Sequence, residues 1–361
     1  MRRARVGRAF MQCASCRFSA LYFMPFCGGL AAAGRLSPRA AILGAVGWLT
    51  LALAVEVTNR LADRSEDEIN RPERTALCAR VGWDRMARLQ WALWCAVAAL
   101  ALAWLASAPG TLLAGVLCLG AGAGLGYSRG PRFARHRALV FVVLSGTFVG
   151  PFVLGWAAGS PGASLPEIVQ LGRFTPLFWV MTLFITSLGG IKDLTDRAGD
   201  ATIGYRSAFL DLLDRHGTAA LALVAALPYA ALVAFVLAGA LPSRTLALLA
   251  LAPASLALGL AARSTRGDAR EQLAVREAFY LHWIAFSAAA LLLFEPSAPL
   301  LAAVLLSVSA WVLAGRWLHW SEPLRRADVR RVAALARAGL ADRPPAVPVS
   351  PRHEERAWAA N

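Results

Sequence analysis

Residues Thr218–Ala240 read TAALALVAALPYAALVAFVLAGA, with no charged side chain from end to end. At about 1.5 Å per residue a helix of that length crosses the ~30 Å hydrocarbon core of a bilayer. The same kind of run recurs at Ala138–Ala158, Phe174–Ile191, Thr245–Ala262, Ala278–Phe294 and Ala298–Gly315. Shorter or less regular runs lie at Phe18–Gly34, Ala40–Val55, Leu89–Ala106 and Thr111–Gly126. The reading is an all-α, polytopic transmembrane bundle of nine or ten spans. With 58% of its 361 residues hydrophobic and 16% charged, the chain carries far more apolar surface than a soluble domain buries.

The net charge of +15 follows the membrane rather than a nucleic acid. The segments 1–17, 60–88, 128–137, 192–217, 263–277 and 316–361 fall on one side, and hold 33 of the 37 Lys and Arg residues. Only Arg35, Arg39, Arg173 and Arg244 lie on the other. That asymmetry puts the basic side, with both termini, in the cytoplasm, and basic flanks suit anionic lipid headgroups. No basic stripe interleaved with aromatics points to nucleic acid. Arg2–Arg8 followed by an apolar run and Ala31-Ala32-Ala33-Gly34 imitates a signal peptide; the expectation is a retained first span. Three parts are expected: a basic N-terminus (1–16), a membrane domain (17–319) and a basic, Pro-containing tail (320–361), with an amphipathic stretch at Leu324–Leu340. Ala121-Gly122-Ala123-Gly124 is expected to let helices pack closely. Cys13 and Cys16 form a single CxxC, too little for zinc. Cys27, Cys95 and Cys118 are expected in the core, and no disulfide is implied.

Two acidic clusters follow directly on apolar runs, on the same membrane face. The first contains Asn59, Asp63 and Asp67, spaced by four and therefore on one face of a continuing helix. The second is Lys192-Asp193-Leu-Thr-Asp196-Arg-Ala-Gly-Asp200, with aspartates at i, i+3 and i+7. A single DxxxD in a loop is ordinarily a solvated surface. Two such clusters, each abutting a span on one side, indicate a site. Carboxylates at helix C-termini face the unfavourable end of the dipole, and a divalent cation reverses that repulsion. Oxygen-only donors suit Mg²⁺, which shares its shell with phosphates. Lys192 is the chain's only lysine among 36 arginines, which suggests a compact point charge is wanted there. Between the clusters lies the basic turn Tyr127–Arg137, with Arg132 and Arg135. Glu56 is expected to line a cavity, and His282 to be a satisfied core histidine.

These residues resemble the UbiA superfamily of intramembrane prenyltransferases. Asn59, Asp63 and Asp67 match its first motif, with Arg60 in place of the usual acidic second residue. Lys192, Asp193, Asp196, Gly199 and Asp200 match its second; Tyr127-Ser128 and Gly150-Pro151 match a Tyr-Ser turn and a helix-5 pair. The resemblance covers about residues 17–295. It implies a bundle around a central, lipid-accessible cavity in a cell membrane, with the site opening to the cytoplasm. An isoprenyl diphosphate would be bridged through Mg²⁺, two ions in the expected arrangement, to Asn59, Asp63, Asp67, Asp196 and Asp200. Lys192, Asp193, Tyr127, Arg132 and Arg135 would contact the diphosphate end. An aromatic or hydroxyl acceptor then attacks the allylic cation. A membrane terpene cyclase needs the same ionisation and no acceptor. A transporter is the remaining alternative, against which the clusters sit at one face rather than at the midplane. The family usually has nine spans, so either one of the ten runs is not a span or Ala298–Gly315 is an addition.

Overall fold

The computed structural model describes residues 2–341 except 137, 138, 203, 206, 266 and 322. Sixteen α-helices succeed one another among the described residues: α1 (Arg2–Cys13), α2 (Ser19–Ala32), α3 (Pro38–Ala62), α4 (Arg64–Asn70), α5 (Pro72–Val81), α6 (Trp83–Ser107), α7 (Thr111–Ser128), α8 (Leu139–Gly159), α9 (Thr175–Leu188), α10 (Arg197–Thr202), α11 (Ala208–Arg215), α12 (Thr218–Leu237), α13 (Ala252–Ser264), α14 (Ala269–Phe294), α15 (Ala298–Trp317) and α16 (Arg326–Ala341). Short 3₁₀ pieces lead into α2, α9 and α13, and a further one, Gly189–Thr195, leaves α9. Helices are the form apolar segments must take in lipid, because each satisfies its own backbone polar groups.

All ten apolar runs are helical. Nine of the resulting segments among the described residues are long and apolar enough to cross a membrane, so the chain is a multi-pass membrane protein. The tenth, α2, has 14 residues, about 21 Å at 1.5 Å per residue, short of the ~30 Å core. It survives because protein, not lipid, surrounds it: Ala20, Leu21 and Phe23–Leu30 are buried, against α8, α3 and α15. Close approach to α8 depends on two glycines. A Cβ on Gly29 would run into the backbone of Phe152 and Trp156, and one on Gly155 into that of Phe26. In Ala121–Gly124, a Cβ on Gly124 would meet Val55 at 2.9 Å, a looser approach, and one on Gly122 would meet nothing. Arg17, just ahead of α2, donates to both carboxylate oxygens of Glu277 on α14 at 2.7 and 2.9 Å. Its guanidinium lies 4.6 Å from the Trp311 ring on α15.

Helices α6, α7 and α12 leave most of their surface unburied, with Trp91, Leu102, Leu119, Leu223 and Leu237 exposed. Such apolar exposure is what a lipid-facing surface requires. Cys95 and Cys118 lie on it, so they are not core residues as expected from their runs, whereas Cys27 is buried. Periodicity is mute on this point when every side of a helix is apolar. His282 is a core histidine whose Nε2 lies 2.7 Å from the Ser255 hydroxyl. The amphipathic stretch is helix α16, which packs on α13 and α14; the prolines of the tail, at 344, 345, 348 and 351, lie outside the described residues.

Candidate active site

Both acidic clusters reach one polar cavity at a single membrane face. The first does so on a helix that is nearly continuous. Helix α3 stops at Ala62 and α4 begins at Arg64, yet Asp63 N donates to Asn59 O at 2.9 Å and Asp67 N to Asp63 O at 2.8 Å. The four-residue spacing therefore keeps Asn59, Asp63 and Asp67 together. The second cluster is built differently from the single helical face expected. Lys192, Asp193 and Thr195 belong to the 3₁₀ piece Gly189–Thr195, and Asp200 to α10. In a 3₁₀ helix residues three apart eclipse, so Asp193 and Asp196 still align. Asp200 N then donates to Asp196 O at 2.9 Å, one turn on.

Direct bonds lock the clusters together. Asn70 Oδ1 accepts from Gly199 N at 2.6 Å. A Cβ on Gly199 would meet the Asn70 amide and the Glu66 carbonyl, which accounts for glycine there. Arg71 bonds to Asp196 and donates to Thr195 at 3.2 Å; Arg276 of α14 reaches the same Thr195 at 3.2 Å. Ser128 joins the first cluster to α7. The Asn59 amide nitrogen, placed to satisfy its neighbours, donates to the Ser128 hydroxyl at 3.1 Å and to Asp63, and its oxygen accepts from Arg60.

Asn59, Asp63, Asp67, Tyr127, Arg135, Lys192, Asp193, Asp196 and Asp200 all line the cavity. Arg132 does not; it sits at the rim, 3.6 Å from Asp63, and donates to the Ala62 carbonyl at 3.2 Å. With a volume of about 100 Å³, the cavity is smaller than the ~300–1,000 Å³ of ordinary ligand sites. It has room for a charged headgroup, not a chain.

Most of the carboxylates already have cations. One oxygen of Asp67 accepts from Arg60 at 2.9 Å, and the other from Arg74. Lys192 Nζ donates to Asp193 at 2.6 Å, and Arg135 to Glu66. Asp63 and Asp200 are held less closely: among the described residues Asp63 meets only the longer pairs to Arg132 at 3.6 Å and Arg135 at 4.0 Å. Burial raises the Asp63 carboxyl to about 6, with Asp67 and Glu66 adding to the effect against Arg60 and Arg135. Burial, then the neighbouring Asp196 and Asp193, raises Asp200 to about 7. These two side chains, one from each cluster, lack sufficient positive charge.

The donors fit a hard divalent cation that keeps part of its water shell. Asp63 and Asp200 offer under-compensated oxygens, and among the described residues no sulfur or imidazole donor lines the cavity. No group of three or more His, Cys, Asp or Glu side chains among the described residues forms a ready-made cage, so the fit is to a cation that shares its shell with a ligand. Asp67 offers oxygen to a cation only by releasing Arg60 or Arg74.

The sequence reading passed over Arg60 as a participant, and over Glu66, Asn70, Arg71, Arg74 and Tyr205, all of which line the cavity. Their nearest signal is the run Asn70-Arg71-Pro72-Glu73-Arg74, directly after the first cluster. Glu56, expected to line a cavity, is not among the lining residues; it lies one turn before the first cluster, 3.5 Å from Arg60.

The UbiA prenyltransferase family matches residues 22–281. No curated protein sequence matches significantly. A solved structure of a digeranylgeranylglyceryl phosphate synthase in membranes is 13% identical over 80% of this chain and 99% of its own, with a TM-score of 0.50. At that identity the likeness is one of fold. The helices α2, α3, α6, α7, α8, α9, α12, α13 and α14 overlap the matched region, and α15 lies beyond it. The chain therefore belongs to the UbiA prenyltransferase family and is a multi-pass membrane enzyme that transfers prenyl groups.

Proposed function

We propose that the enzyme moves an isoprenyl group from an isoprenyl diphosphate to an aromatic or hydroxyl acceptor, with Mg²⁺, at the cytoplasmic face of the cell membrane. The observation that carries this reading is the charge of the cavity. Six carboxylates (Asp63, Glu66, Asp67, Asp193, Asp196, Asp200) face five cations (Arg60, Arg71, Arg74, Arg135, Lys192). Among the described residues the lining is thus one charge short of neutral when every carboxylate is ionised. A diphosphate ester adds about three negative charges, and about two divalent cations restore the balance. Asp63 and Asp200 would hold them, with Asn59, Asp67 and Asp196 completing the set.

A bound divalent cation supplies Lewis-acid withdrawal of charge from the diphosphate. The chain supplies the rest. Arg71, Arg74 and Lys192 orient the headgroup and meet the charge that grows on the leaving oxygen as the C–O bond breaks. Closely packed apolar helices keep water from the allylic cation. The basic residues of α1, α4–α5 and α16 favour a cytoplasmic position for this face. Membranes containing the protein, given labelled prenyl diphosphates, Mg²⁺ and candidate acceptors, test the proposal. Acceptor-dependent diphosphate release supports it; hydrocarbon formed without an acceptor would make the enzyme a cyclase.

A further inference from the structure

The chain continues past the family-matched region into α15, and the four residues after that helix return to the site. His319 and Ser321 are buried. Trp320 lies among three arginines: its ring centroid is 5.2 Å from the Arg276 guanidinium carbon, 5.4 Å from that of Arg74 and 5.8 Å from that of Arg71. Those arginines serve both acidic clusters. Arg74 bonds to Asp67, Arg71 to Asp196 and Thr195, and Arg276 to Thr195. Arg74 and Arg276 are each only 2% exposed, so three like charges are gathered where water screens them little.

We propose that Trp320 is a positioning residue for diphosphate binding, its ring holding Arg71, Arg74 and Arg276 in register with the two clusters. The aromatic face carries partial negative charge and attracts guanidinium groups within about 6 Å. It offsets their mutual repulsion without consuming a donor, leaving N–H groups for carboxylates and phosphate oxygens. The polar edge of the indole does not explain the placement: among the described residues its Nε1 has no hydrogen-bond partner. The segment is secured on both sides. Ahead of it, Trp311 on α15 covers Arg17. Behind it, Asp328 of α16 accepts from Arg270 Nε at 3.0 Å. A Cβ on Gly339 would meet the Leu260 carbonyl, so α16 is seated directly on α13.

The inference rests on the reading that the cavity holds a diphosphate. Its test is calorimetric binding of inorganic diphosphate with Mg²⁺ to the full-length protein in detergent. The proteins compared are wild type, Arg71→Ala, Arg74→Ala, Trp320→Phe, Trp320→Leu and the double variant Arg74→Ala/Trp320→Leu. Trp320→Leu is expected to weaken binding about tenfold and Trp320→Phe about threefold, following ring strength. The double variant should bind more tightly than the two single effects combined would give, because Trp320 acts in part through Arg74. A merely structural role would lower the melting temperature and leave the two effects additive. Wild-type affinity in Trp320→Leu, or full additivity with Arg74→Ala, overturns the proposal. If wild type does not bind diphosphate, or Arg74→Ala and Arg71→Ala bind it normally, the underlying reading of the cavity fails instead. Should Trp320→Leu not elute as a single species, Trp320→Met takes its place. If neither folds, Trp320 is a folding residue and the positioning role is rejected.

Discussion

Arg60 stands where the family pattern has an acidic residue, and the structure makes a quantitative claim about it. Its side chain is 3% exposed, 2.9 Å from Asp67 and 3.5 Å from Glu56. At 2.9 Å and an effective dielectric of about 20, Coulomb attraction between Arg60 and Asp67 is about 6 kcal/mol. Desolvating both groups offsets most of that, and Arg74 continues to hold Asp67 when Arg60 is gone. A net coupling of about 2 kcal/mol remains, within the range for neighbouring charged residues. Arg60→Leu should therefore destabilise the protein by about 3 kcal/mol, since it also leaves Glu56 and Asp67 under-compensated in a buried site. The assay is a double-mutant cycle of Arg60→Leu with Asp67→Asn, read by reversible unfolding in mixed micelles. Asp67→Asn should cost less in the Arg60→Leu background than in wild type. A coupling energy below about 0.5 kcal/mol would refute the reasoning and make Arg60 a topology-marking cation like its neighbours.

Asp63→Ala and Asp200→Ala should each abolish turnover by orders of magnitude while the protein still inserts and elutes as a single species; normal turnover in either removes it from the cation site. With cations chelated, stability should be greatest below about pH 4 as far as Asp63 and Asp200 decide it, and should fall as pH rises through about 6 to 7. The folded state binds those protons more tightly than the unfolded chain, whose aspartates titrate near 3.8. Melting scans from pH 5 to 8 should show that slope, and Asp200→Asn or added Mg²⁺ should flatten it. Lys192→Ala should lower kcat more than it raises KM, with Lys192→Arg restoring only part; equal constants in both variants would reduce Lys192 to a partner for Asp193. Cysteines placed at Glu68 and His216 should react with an impermeant reagent only after cells are opened, and one at Gln170 in intact cells. The reverse pattern would invert the topology.

Sequence alone determined what depends on the solvent and on neighbours along the chain. An uncharged run the length of a bilayer has one stable form in lipid, so ten helices were legible. The distribution of basic residues placed the loops on two sides, and both clusters on one of them. Spacings of three and four carried Asn59, Asp63 and Asp67, and Asp193, Asp196 and Asp200, into shared faces, because the backbone repeat is local even where a 3₁₀ piece replaces an α-helix. Tertiary structure decided which arginines matter. In a chain with 32 of its 36 arginines massed on one side, Arg71 and Arg74 look like topology markers. Their partners Asp196 and Trp320 are more than a hundred residues away, and no local pattern connects charges that meet only when helices pack. The same limit hid the lipid exposure of Cys95 and Cys118. Trp320 lay beyond any motif, just after the helix α15 that follows the family-matched region. Only the docking of α15 and α16 against α2, α13 and α14 brings its ring to the arginines, because that contact is set by packing between helices rather than by the order of residues within one.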